Sequence, residues 1–107
     1  MFTAPPTTPR IWYHATTHAC IRLGGRVPAL ATCDMDRRRR ILVGMCHHGH
    51  VLPFEAWVIG QYFIEAFEWR TRQRLFLAMQ WDPDRLNTSI VLTILRPEEF
   101  ALKHRVA

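Results

Sequence analysis

Residues 53–72, Pro53 to Arg72, constrain the fold more than any other stretch, because twenty consecutive positions carry little polar surface. Wound as a helix, Gln61, Glu65, Glu68 and Arg72 make one narrow wet stripe. Ala56, Ile59, Phe63, Ala66 and Phe67 lie opposite, and Trp57, Tyr62, Ile64 and Trp69 widen that apolar side. Pro53 suits a first helical position, Glu55 the first turn, and Glu68 with Arg72 an i,i+4 pair. The competing pattern is two strands broken at Gly60. Phe54, Ala56, Val58, Gly60, Tyr62, Ile64 and Ala66 are all apolar at period two. The other parity mixes Glu55, Gln61 and Glu65 with Trp57, Ile59 and Phe63, so neither strand face is clean. Pattern and length therefore predict one long, mostly buried helix, at a cost of about 1 kcal/mol for Gly60 relative to Ala.

Such a helix needs a cover, and the flanking segments read as strands. Ile11-Trp12-Tyr13-His14 starts a first strand. Residues 19–23, Gly24-Gly25 and residues 26–32 read as strand, tight turn, strand, with Pro28 suited to an edge. Residues 33–36 form a polar corner, residues 40–45 a buried strand, and residues 46–50 a loop into the helix. Residues 75–81 and 89–95 read as strands paired antiparallel across Asp82–Asn87, whose Asp-Pro-Asp is turn chemistry. Pro97-Glu98-Glu99 opens a short closing helix. The expected fold is α+β: residues 11–107 form a single domain with a long buried helix packed on an antiparallel sheet and a short C-terminal helix. Residues 1–10, with three prolines and three threonines, are expected to be a flexible N-terminal arm.

Composition bounds the function classes. At 107 residues and 49% apolar content, one globular core is affordable without staples. No apolar run reaches the ~20 residues of a bilayer span, and the first ten residues hold no apolar signal region. Three cysteines, an odd count, fit reduced thiols and a cytoplasmic setting. The net charge of +5 sits wholly in residues 1–53, which carry seven Arg against two Asp; residues 54–107 balance seven basic with seven acidic side chains. That asymmetry permits an anionic partner.

Two clusters carry candidate chemistry. Arg37-Arg38-Arg39-Arg40, with Arg26 and with Arg70, Arg72 and Arg74, offers a basic face beside Trp12 and Tyr13. Cations interleaved with exposed aromatics suit single-stranded nucleic acid. A straight helix over 53–72 places the Cys/His loop and Arg70–Arg74 ~30 Å apart, so Arg37–Arg40 and Arg70–Arg74 are expected to act separately. The second cluster, Cys46-His47-His48-Gly49-His50 with Cys33, offers zinc's preferred thiolate and imidazole ligands, the first choices being Cys33, Cys46, His48 and His50. Its spacing matches no finger, and the plainer alternative is buried cysteines beside a solvated histidine loop.

Tyr13-His14-Ala15-Thr16, followed by Ile21 and Gly24-Gly25, resembles the opening His-x-Thr strand of ADP-ribosyltransferases. The resemblance implies that those side chains bind a nicotinamide nucleotide and that a helix then ends at Gly. The segment from Thr16 to Gly24 is short for that helix, and the family's later aromatic and glutamate motifs have no assigned counterpart, Glu98 or Glu99 being the candidates for the glutamate. The sequence points first to a small non-enzymatic interaction or inhibitor-type protein, of the sort phages and mobile elements encode. Its expected partner is anionic: nucleic acid, a nucleoprotein complex or an acidic protein surface, with no membrane and no cofactor. A Cys/His metal-stabilised domain is the alternative, a reduced ADP-ribosyltransferase-like enzyme comes third, and exposed aromatics leave homo-oligomerisation open.

Overall fold

A computed structural model describes residues 10–52 and 60–103. In chain order the elements are β1 (Trp12–Ala15), α1 (Thr17–Arg26), a 3-10 turn (Pro28–Leu30), α2 (Met35–His48), β2 (His50–Leu52), β3 (Gln61–Glu68), β4 (Gln73–Trp81), β5 (Thr88–Leu95) and α3 (Pro97–Lys103). The fold is α+β, with one five-stranded sheet in the order β1-β5-β4-β3-β2. The sheet is mixed rather than antiparallel. β2 to β5 form an antiparallel meander, and β1 runs parallel to β5, pairing Tyr13 with Ser89 and Ala15 with Val91. No helix among the described residues is long and apolar enough to cross a membrane.

The expected 53–72 helix is corrected. Residues 53–59 lie outside the described residues, but Gln61–Glu68 is strand β3 and residues 69–72 turn into β4. Tyr62, Ile64, Ala66 and Glu68 point to one face and are buried there. Phe63, of the other parity, is also buried, because α3 covers that face: Phe100 stacks on Phe76 at 3.9 Å and meets Phe63 edge-on at 5.2 Å. A strand covered on both sides shows no clean alternation, and that mixed pattern imitated a helix. Gly60 enters the strand at φ +86, a left-handed backbone that favours glycine.

The long helix exists elsewhere. Residues 40–45, expected as a strand, belong to α2, which Asp34 caps by accepting from the Arg37 amide at 2.8 Å. Leu42, Met45 and Cys46 face the core. The strand-turn-strand expected over residues 19–32 is α1 and the 3-10 turn. Thr16 caps α1, its hydroxyl accepting from the Ala19 amide at 3.1 Å, and Ala19, Cys20, Leu23 and Gly24 make the buried stripe. Gly24 is not a turn residue but a contact: a Cβ there would lie 2.7 Å from the Arg38 guanidinium carbon. Glycine lets α2 reach across α1. The main core lies between these two helices and the sheet, holding Leu23, Val27, Leu30, Leu42, Ile64, Leu75, Leu77, Met79, Val91 and Ile94. The strands expected near 11–14, 75–81 and 89–95, the loop at 82–87 and the closing helix at Pro97 are all present.

Candidate functional site

Helical winding decides which arginines of the run are available. Successive side chains step about 100° around α2, so the four point in different directions. Arg38 turns inward, its Nε donating to the Leu30 carbonyl at 3.1 Å and an Nη to the Ala31 carbonyl at 2.6 Å. Arg39 donates to the Ala15 carbonyl at 3.3 Å and pairs with Asp36. Both hold the fold together. Arg37 and Arg40, one turn apart, are exposed, and neither guanidinium has a hydrogen-bond or ion-pair partner among the described residues.

Those two stand on one face of α2 with Ile41, Gly44, Met45 and His48, and Phe67 and Trp69 face them from the end of β3. Together they line an open groove of about 630 Å³. β2 pairs with β3 only as far as His50 opposite Glu65, so nothing among the described residues pairs along the outer edge of Ala66–Glu68. Phe67 is 56% exposed and Trp69 71%. Among the described residues, no carboxylate lines it. Gly44 keeps the groove wall open, since a Cβ there would meet nothing within 4 Å beyond its own neighbours and helix backbone among the described residues. A glycine inside a helix costs about 0.5–1 kcal/mol relative to alanine. Neither backbone nor packing requires this one.

Trp69 is held in place by the turn into β4. Glu68, buried at the end of β3, accepts from the Thr71 hydroxyl and amide, each at 2.7 Å, and from the Arg70 amide at 3.2 Å. The Arg72 amide donates to the Glu68 carbonyl at 2.6 Å, with Arg72 at φ 59. Burial alone would raise the Glu68 pKa, but these donors, with the Arg70 charge, bring it below the ordinary glutamate value. Arg70 in turn places its guanidinium 5.4 Å from the Trp69 ring. Sequence periodicity put Glu68 on a wet stripe and Phe67 and Trp69 in the core; all three are reversed once residues 61–68 are a strand.

The two basic stretches, expected to be far apart, therefore meet where Trp69 and Arg70 leave β3. The rest of the basic face does not assemble. Arg74 bonds Glu65 at 2.9 Å through Nε and lies over Phe76, on the side of α3. Arg26 is paired with Glu99 at 2.8 Å, tying α1 to α3. Arg72 is exposed in the turn. Trp12, with Arg10 4.7 Å from its ring, and Tyr13, edge-on to His47 at 4.9 Å, sit on β1 at the far side of the sheet. Tyr13 instead lines a second hollow of about 480 Å³ with Ile11, Val51, Tyr62 and Trp81, and no charged side chain among the described residues lines it. Tyr62 also shares a buried hydroxyl contact of 2.6 Å with Ser89, and burial pushes the Tyr62 pKa up to about 12.

The proposed ligands Cys33, Cys46, His48 and His50 are not brought together. No group of three or more His, Cys, Asp or Glu side chains able to hold a metal forms among the described residues. The reason is the helix: ~16 Å of α2 separates Met35, next to the Cys33 corner, from Cys46. Cys46 then faces the core, while His48 and His50 face solvent. Burial pushes the Cys46 pKa up to about 12, which keeps it a thiol rather than a thiolate at neutral pH. Of the ADP-ribosyltransferase-like residues, His14 is exposed and Thr16 is engaged in the fold, its hydroxyl also donating to the Val91 carbonyl at 2.9 Å. Glu99 is bound to Arg26. No protein-family model, curated protein or solved structure matches the chain.

Proposed function

We propose that this protein is a small non-enzymatic interaction module whose groove between α2 and β3 receives an anionic partner. The reading rests on one observation: among the described residues, Arg37 and Arg40 have no partner and share with the exposed Phe67 and Trp69 a trough that no carboxylate lines. Four other arginines are each paired with a carboxylate, Arg26 with Glu99, Arg39 with Asp36, Arg74 with Glu65 and Arg85 with Asp82. Two cations left free one helical turn apart beside apolar surface give an anion both charge and contact area. A module of this kind acts by covering its partner's surface, which is how an inhibitor-type protein works.

Retention on immobilised heparin, used as a generic polyanion, tests the reading. The Arg37→Ala/Arg40→Ala protein should elute at lower salt than an Arg22→Ala/Arg85→Ala protein, which loses the same charge away from the groove. Equal elution of the two would mean that net charge alone governs binding, and the groove would lose its role.

A further inference from the structure

We infer that the groove's occupant is single-stranded nucleic acid, with a base stacked on Trp69 and neighbouring phosphates on Arg37 and Arg40. This deepens the anionic-partner reading and rests on it. Trp69, exposed at the end of β3, lines the trough opposite α2, while Phe67, which shares its strand face with Arg74, borders it at the sheet edge. Sequence-tolerant binding of single strands uses this combination of an aromatic platform and a basic wall. Here the wall is α2, which carries Arg37 and Arg40 on the groove, with His48 further along the same face and Arg70 beside the Trp69 ring. The open wall at Gly44 leaves room for a flat base between helix and ring.

An acidic peptide uses the same arginines but fits the rest less well. Adding it as a strand would rely on the unpaired edge Ala66–Glu68, only three residues long, well short of the usual five or six. It would also leave the Trp69 ring without a planar partner. Duplex DNA fits less well still, because its bases are already stacked on one another.

The experiment is fluorescence anisotropy of a labelled ten-nucleotide oligothymidylate titrated with the intact chain in low salt. A blunt duplex of the same length and a labelled ten-residue polyglutamate serve as comparison probes. Binding of the single strand should fall roughly 5- to 100-fold for Trp69→Ala, the loss expected for one stacked base. The logarithm of the affinity should fall with the logarithm of salt at a slope of about −1.4, for two phosphates on a single strand. Gly44→Leu, a substitution favourable to the helix, should also abolish tight binding while circular dichroism shows the fold intact. Single-strand binding that ignores both Trp69→Ala and Gly44→Leu overturns the inference, as does duplex bound equally well. Polyglutamate binding lost on Arg37→Ala/Arg40→Ala, without oligothymidylate binding, overturns the nucleic acid and leaves the anionic-partner reading standing. Binding to neither probe removes the inference, and the heparin comparison then decides the wider reading.

Discussion

Glu68 does work that its position in the sequence conceals. A carboxylate between Phe67 and Trp69 reads as surface, yet it is buried and accepts from three donors of the turn that presents Trp69. Removing it takes the acceptor from three donors of the turn, beneath the exposed residues 69–72. Glu68→Ala should cost about 2–4 kcal/mol of stability near neutral pH, measured by urea unfolding. The pH dependence follows from the direction of its shift. Folded Glu68 has a pKa below the ordinary glutamate value of 4.5, so unfolding binds a proton as the pH is lowered. Its contribution is complete above about 4.5 and is lost as pH falls through the lower, folded value. The Glu68→Ala and parent unfolding midpoints should converge over that acid window; a gap that stays constant down to full protonation would show that the carboxylate charge is irrelevant. Glu99, lowered chiefly by the Arg96 amide and then by Arg26, adds to the same acid sensitivity of the parent protein.

Elements were legible where one face is wet or a turn is explicit, and illegible where packing overrides local pattern. β4, β5 and α3 are marked by the Asp82–Asn87 loop and by Pro97, and the sequence reading places them correctly. α1 is hidden by Gly24-Gly25, which reads as a hairpin turn until the Arg38 contact explains the first glycine. α2 is hidden by Ile41-Leu42-Val43, whose β-branched ends favour a strand, while the cap at Asp34 is the local signal that marks its start. β3 is hidden because helices cover both of its faces. The candidate groove lies between two of these, α2 and the end of β3, so of its lining only Arg37 and Arg40, as members of a basic run, and His48, as a candidate zinc ligand, stood out in the sequence. Gly44 allows a test at the level of the helix itself. Gly44→Ala should stabilise the protein by about 0.5–1 kcal/mol, seen as a higher urea midpoint at unchanged slope. Destabilisation would mean that α2 needs the glycine for a reason other than space.

The whole molecule is divided between local and distant pairing. β3, β4 and β5 form a meander of neighbours in sequence, whereas β1 closes the sheet by pairing with a strand about 75 residues later, Thr16 bonding the Val91 carbonyl across that span. Ordering a loop of that length precedes any gain from the contacts it brings. In pulsed hydrogen exchange during refolding, amides of β3 to β5 should be protected before those of β1; simultaneous protection would show that the sheet closes in one step. The separation also matters while the chain is being made. α1 and α2 emerge from the ribosome before β3, β4 and β5, the strands they lie on, have been synthesised. Leu23, Val27, Leu30, Leu42 and Met45 then have each other but no sheet, and a nascent chain in that condition is a natural client for a holding chaperone. Through the parallel seam between β1 and β5, a strand translated late thus lets one translated much earlier settle.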